Sequence, residues 1–198
     1  MSASVDAVDL KRRRVLTAAT VVVGAVGAGY VAVPFIASWR PSARARAAGA
    51  PVQIDISKLE VGQLIRVEWR GKPVWVVRRS DESLQHLTEN HDLLRDPDSV
   101  ESEQPEDCTN NNRSIENAVF LAVGICTHLG CSPTYRPEVA PPDLGPDWQG
   151  GFFCPCHGSL FDLAGRVYKG VPAPLNLVVP PYRYVDSTTV VVGEEGAA

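Results

Sequence analysis

The sequence predicts a single N-terminal transmembrane helix followed by an all-β head of stacked antiparallel sheets, with a small subdomain for a metal centre and one short helix–loop insertion. Three observations carry this expectation. The run from Val15 to Ser38 contains no charged residue. From Val52 onward, short alternating apolar and polar runs are separated by glycines and prolines, of which the chain has 16 each. Two six-residue boxes, CTHLGC (Cys126 to Cys131) and CPCHGS (Cys154 to Ser159), hold four of the five cysteines and two of the four histidines.

The N-terminal elements come first. Residues 1–14 form a basic tail, and RRRVLTAA, which starts in it at Arg12 and runs to Ala19, resembles a twin-arginine export signal. Residues 15–39 follow as the anchor helix. Its 24 uncharged residues would extend about 36 Å as a helix, enough to cross a hydrocarbon core of about 30 Å. Tyr30 and Trp39 suit the membrane interface. A cleaved signal peptide is the alternative for this stretch, but it is longer than the usual apolar core of such a peptide. Four cations precede the span and three follow it closely, so the positive-inside rule favours a cytoplasmic N-terminus by a narrow margin. Residues 40–51, rich in Ala, Arg and Pro, read as a flexible tether. Residues 1–46 carry seven Lys/Arg against two Asp/Glu, and residues 47–198 carry twelve against twenty-one. The acidic body has no nucleic-acid footprint.

Residues 52–198 make the head. Alternation predicts strands at 52–57 and 63–69. Arg70 and Gly71 turn the chain into a third strand at 73–79. The stretch from Asp81 to Arg95, with acids in its first turn and leucines at 84, 87, 93 and 94, predicts a short helix. Residues 96–112 are acidic and polar, hence a long loop that contains the isolated Cys108, read as an unpaired thiol. Buried strands at 118–124 and 150–153 lead into the two boxes. Runs at 175–179, 183–186 and 188–192 complete the sheets. The subdomain that carries the boxes covers about 122–178. His86 and His91 read as ordinary surface or half-buried residues, and Trp69, Trp75 and Trp148 as core.

Three chemistries suit the boxes. A structural zinc takes four Cys/His ligands in a tetrahedron, although zinc ribbons favour Cys-x-x-Cys in both halves. A dithiol redox site would leave the histidines idle, and Cys-Pro-Cys is shorter than the usual motif. A [2Fe–2S] cluster with two thiolates on one iron and two imidazoles on the other takes one cysteine and one histidine from each box. It leaves one cysteine per box over.

CTHLGC and CPCHGS resemble, at every position, the two boxes of the Rieske iron–sulfur proteins of cytochrome bc complexes. GVPAPLNL (Gly170 to Leu177) is similar to that family's Gly-Pro-Ala-Pro loop, with Val171 intervening. The resemblance implies a Rieske head with one [2Fe–2S] cluster held by Cys126, His128, Cys154 and His157, a Cys131–Cys156 disulfide between the boxes, and a proline-rich loop that shields the cluster. It implies that His157 meets the quinol with His128 beside it, that Leu129 packs against the quinol pocket of cytochrome b, and that Ser159 donates a hydrogen bond to a cluster sulfur. Phe161 stands where the family usually has a second donor, a tyrosine. The disulfide cysteines separate this branch from Rieske ferredoxins and dioxygenases. The 22 residues between the boxes and the insertion at 81–112 resemble the subunit of proteobacterial ubiquinol–cytochrome c oxidoreductases. The implied partners are cytochrome b, a membrane-anchored c-type cytochrome and ubiquinol, within a dimeric multi-subunit complex. The implied place is the bacterial inner membrane, with the head in the periplasm. A Rieske subunit of another membrane oxidoreductase, or a membrane-tethered zinc module, remain the alternatives.

Overall fold

The computed structural model describes residues 9–194. Residues 1–8, most of the expected basic tail, lie outside the described residues. The chain divides into an N-terminal unit ending at Ala47 and a second unit starting at Ala48.

Helix α1 spans Leu10–Ser38. It starts earlier than the uncharged run because Lys11 to Arg14 are good helix formers and Asp9 caps them. The Asp9 carboxylate accepts from the backbone N–H of Lys11 (3.0 Å) and Arg12 (3.1 Å). No described residue of α1 is buried, and its most apolar stretch has a mean hydropathy of 1.9. An apolar helix whose described residues are all exposed suits lipid, so α1 fits a membrane anchor. The expected tether is partly ordered: α2 spans Ala43–Ala48. Alanine and arginine favour helix, and the Ser42 hydroxyl accepts from Ala45 N–H.

Among the described residues, the head contains nine strands in three three-stranded antiparallel sheets. They are β1 (Val52–Asp55), β2 (Leu64–Trp69), β3 (Lys72–Arg78), β4 (Val119–Val123), β5 (Thr134–Val139), β6 (Gln149–Cys154), β7 (Ser159–Asp162), β8 (Tyr182–Asp186) and β9 (Thr189–Val192). The sheet orders are β1-β9-β8, β2-β3-β4 and β5-β6-β7. A two-residue turn joins β2 to β3, with φ of 52° at Arg70 and 71° at Gly71. Positive φ at both positions is what a tight hairpin of right-handed twist requires. Every residue of β4 is buried, since its faces pack on the other sheets. Trp75 from β3 stacks on Phe152 from β6 at 5.0 Å between ring centroids, joining the β2-β3-β4 and β5-β6-β7 sheets. Gly124 makes room for that indole, because a Cβ there would stand 2.2 Å from a Trp75 ring carbon. Trp69, Trp75 and Trp148 are all core residues.

Several expected boundaries change. The helix at 81–95 is shorter: α3 spans Asp81–Glu89, and a 3-10 turn follows at His91–Leu93. The stretch at 175–179 is irregular. Its backbone bonds leave the ladder pattern, with Val178 C=O accepting from Val123 N–H and Val179 N–H donating to Glu103 C=O. Strands β5 and β7 have no counterpart among the expected elements. β5 is mostly exposed and contains Pro137, and β7 begins inside the second box.

The insertion between β3 and β4 packs on the subdomain that bears the boxes. Leu87 contacts Leu163 and Ala164, and Leu94 contacts Trp148 and Tyr168. Three buried arginines fasten it. Arg79 reaches the carbonyls of Asn112, Asn117 and Leu163. Arg113 donates to Gln104 and to the carbonyl of Ala164. Arg166 pairs with Asp162 at 2.8 Å and also reaches Leu87 C=O. Burial lowers the pKa of Arg79 and of Arg113 to about 10, so both stay cationic at neutral pH. Carbonyl and side-chain acceptors offset the cost of burying these charges, although Arg113 Nη2 is left without a partner among the described residues.

Candidate metal centre

The first box leaves β4 through Gly124 and Ile125. Cys126 N–H donates to Cys131 C=O at 2.7 Å, and Gly130 N–H donates to Cys126 C=O at 3.0 Å. These bonds close the six residues into a tight loop. Gly130 takes φ of 82°, where a side chain is strained. The second box is the turn of the β6–β7 hairpin. Cys154 faces Ser159 in the ladder, and Gly158 N–H returns to Cys154 C=O at 2.9 Å.

The loops meet. Cys131 and Cys156 are disulfide-bonded, and the Sγ atoms of Cys131, Cys154 and Cys156 lie within 4.8 Å of one another. A disulfide sulfur is no metal ligand, which leaves Cys126 and Cys154 as the thiols of the site. Both are 2% exposed. The rings of His128 and His157 stand edge to face, 4.8 Å between centroids. His128 Nδ1 is buried with no hydrogen-bond partner. A buried orphan nitrogen costs free energy unless something binds it, and a metal would. His157 is exposed, as is Leu129 at 71%.

The proline-rich stretch reaches both loops. Thr127 Oγ1 donates to Leu175 C=O at 2.6 Å. Ala173 N–H donates to Ser159 Oγ at 3.1 Å. Ser159 is fully buried and is the ladder partner of Cys154. Burial pushes the Cys126 thiol pKa up, as does the neighbouring Cys154, while hydrogen bonds from His128 backbone N–H and from Ser159 pull it down. The same donors would stabilise a metal-bound thiolate. Phe161 is fully buried, in the same apolar cluster as Cys126 and Cys154.

Two soft thiols and two imidazoles suit either zinc or a mixed-ligand iron–sulfur cluster. Family comparison separates these. The family model described as "Rieske [2Fe-2S] domain" matches residues 51–182. A second, described as "Ubiquitinol-cytochrome C reductase Fe-S subunit TAT signal", matches residues 2–42. The chain is 64% identical over 192 residues to the ubiquinol-cytochrome c reductase iron-sulfur subunit of Allochromatium vinosum, covering 97% of this chain and 93% of that protein. This chain belongs to the Rieske iron–sulfur subunit family. The subunit of the same name from Blastochloris viridis is 43% identical over 191 residues, covering 96% and 97% of the two chains. A chain of the solved structure "Hyperthermophilic respiratory Complex III" is 28% identical with a TM-score of 0.49, covering 89% of this chain and 98% of that one.

The cofactor of this Rieske site is therefore a [2Fe–2S] cluster, and the residues fit it. The two loops supply two buried thiols and two apposed imidazoles, and the buried His128 Nδ1 lacks a partner. Two contributors escape the sequence reading. Thr127 was hidden inside a box dominated by stronger residues. Asn176, 1% exposed, is a lone amide within the apolar run from Leu175 to Val179, and that break in pattern was its only signal. His86 and His91 pair at the surface with Glu89 and Asp98, outside the site.

Proposed function

We propose that this Rieske chain takes the first electron from ubiquinol at the quinol pocket of cytochrome b and delivers it to a membrane-anchored c-type cytochrome, as one subunit of a dimeric ubiquinol–cytochrome c reductase. The observation that carries this reading is the asymmetry of the centre: its thiols are buried, while of its two apposed histidines His157 is exposed, as is Leu129.

Cys126 and Cys154 would hold one iron, and His128 and His157 the other. When bound, such a cluster supplies one-electron chemistry at a potential raised by its two imidazoles. The chain's own residues do the rest. His157, exposed, presents its ring to the hydroxyl of the quinol and receives the hydrogen bond there. His128 packs against it and fixes its orientation. Leu129 offers an apolar contact that suits the lining of a quinone pocket. The disulfide and the proline-rich stretch keep water from the sulfurs. Helix α1 would anchor the chain in the inner membrane with the N-terminus in the cytoplasm and the head in the periplasm. A twin-arginine export route suits such a head, since it carries folded, cofactor-loaded proteins.

The test is reduction of the membrane-bound protein by a short-chain ubiquinol, followed by paramagnetic resonance. The expected result is a signal with mean g below 2 that appears with the quinol and requires cytochrome b. A colourless, zinc-loaded protein with no signal overturns the reading.

A further inference from the structure

Residues 93–102 of the insertion lie outside both boxes, yet they grip the stretch that covers them. Leu94 pairs with Tyr168 as an isolated bridge. Arg95 N–H donates to Val167 C=O and Lys169 N–H to Leu93 C=O, each at 2.9 Å. Beyond this bridge, side chains take over. Arg95 Nη1 donates to Ala173 C=O at 3.3 Å. Ser102 Oγ accepts from Asn176 N–H at 3.1 Å and donates to Asp96 Oδ2 at 2.7 Å. The buried Asn176 amide donates to Asp96 C=O (2.9 Å) and Ser99 Oγ (2.8 Å) and accepts from Val167 N–H (2.8 Å).

Two further bonds continue from the gripped stretch to the centre. Ala173 N–H holds Ser159 Oγ, and Leu175 C=O holds the Thr127 hydroxyl. Ala173 is thus bonded on one side to Arg95 and on the other to Ser159, the ladder partner of Cys154. Hydrogen bonds weaken steeply with distance and angle. A shift of a few tenths of an ångström at Ala173 frees the Ser159 rotor.

We infer that residues 95–102 form a clasp that sets the reduction potential of the centre, with Arg95 and Ser102 as positioning residues. They fix the proline-rich stretch, and the stretch fixes the hydroxyl of Ser159, the ladder partner of Cys154, at the sulfur side of the centre. The inference rests on the Rieske reading above. Loosening the clasp removes a donor that favours the reduced, more negative state, so the potential falls.

The test uses the full chain carrying its cluster, with Ser102→Ala, Arg95→Gln and Arg95→Lys. Neither residue is deeply buried, so the fold tolerates all three. The paramagnetic signal first establishes that each protein holds a cluster. Voltammetry at one pH then reads the potential. Expected is at least a threefold loss in the one-electron reduction constant for Ser102→Ala and Arg95→Gln, about 28 mV at 59 mV per tenfold, and recovery in Arg95→Lys. Ser102→Ala is decisive because it changes no charge. An unchanged potential in Ser102→Ala, whatever Arg95→Gln does, overturns the clasp and leaves Arg95 as a distant charge at most. Absence of any cluster in the unsubstituted chain defeats the Rieske reading instead.

Discussion

The first box leaves β4, a strand buried along its whole length, and its His128 keeps Nδ1 inside the protein. The second box is the turn of a hairpin, and Pro155, Cys156, His157 and Gly158 are all exposed. Similar residues at similar spacing thus have different supports. The first box inherits its position from the core. The second depends on what is tied to it: the disulfide from Cys156 and the Ala173 bond to Ser159. On the proposed reading, the side of the centre that meets substrate is the more exposed of the two loops. That is the arrangement expected where a histidine must stay open to a partner.

The most drastic way to break the comparison is to remove a ligand. Cys126→Ser, His128→Ala, Cys154→Ser and His157→Ala should each abolish the paramagnetic signal, because an iron lacking its fourth bond is lost. If support differed in kind, the second-box variants would keep a partial cluster. We expect none in either box. The head should stay folded by far-ultraviolet circular dichroism, since the β1-β9-β8 and β2-β3-β4 sheets contain no ligand. A normal signal in any of the four variants would remove that residue from the ligand set.

A smaller effect sharpens the difference. The Cys131–Cys156 bond joins residues 25 apart, which in the chain-entropy model contributes about 3 kcal/mol. Replacing both cysteines with serine should lower Tm by roughly 6–12 °C for a head of this size. Hydrogen exchange should rise at Pro155 to Gly158 far more than at Thr127 to Gly130. Equal rises would show that the first loop leans on the disulfide as much as the second does.

The uneven support also explains what could be read from the sequence. The boxes were legible because cysteine and histidine are rare and their spacing carries chemistry. β2, β3 and β4 were legible because alternation or continuous burial marks them. β7 was not, since Ser159 to Asp162 lies directly behind a ligand motif that reads as loop. β5 was not, since Pro137 and exposed residues erase its pattern. Residues 175–179 look like a strand because they are apolar, yet their backbone bonds go to separate segments. Arg79, Arg113 and Arg166 gave no sign of burial, because the carbonyls that receive them come from distant parts of the chain. Cys108 was legible as an unpaired thiol, but its burial and its bond to the Tyr182 hydroxyl were hidden in an acidic loop.

The finest test concerns donors on the second box. Ser159 is fully buried as the ladder partner of Cys154, and we take its hydroxyl as the donor to a cluster sulfur. The reduced cluster carries one more negative charge, so a donor favours it over the oxidised form. With about 1–2 kcal/mol for a bond to a charged but soft acceptor, and about 59 mV per tenfold, Ser159→Ala should lower the potential by roughly 40–85 mV. Phe161→Tyr asks whether a second donor can be added. Phe161 is fully buried among the same apolar residues as Cys126 and Cys154. A hydroxyl placed there without an acceptor costs about 1–3 kcal/mol of stability. A cluster-ligating thiolate within reach would serve as that acceptor. We therefore expect Phe161→Tyr to raise the potential by about 40 mV, near 1 kcal/mol, with Tm unchanged. Voltammetry and thermal melts on the same samples separate the outcomes. A lowered Tm with no change in potential would mean that the hydroxyl is orphaned, and that the second box has room for one sulfur donor, Ser159, and no other.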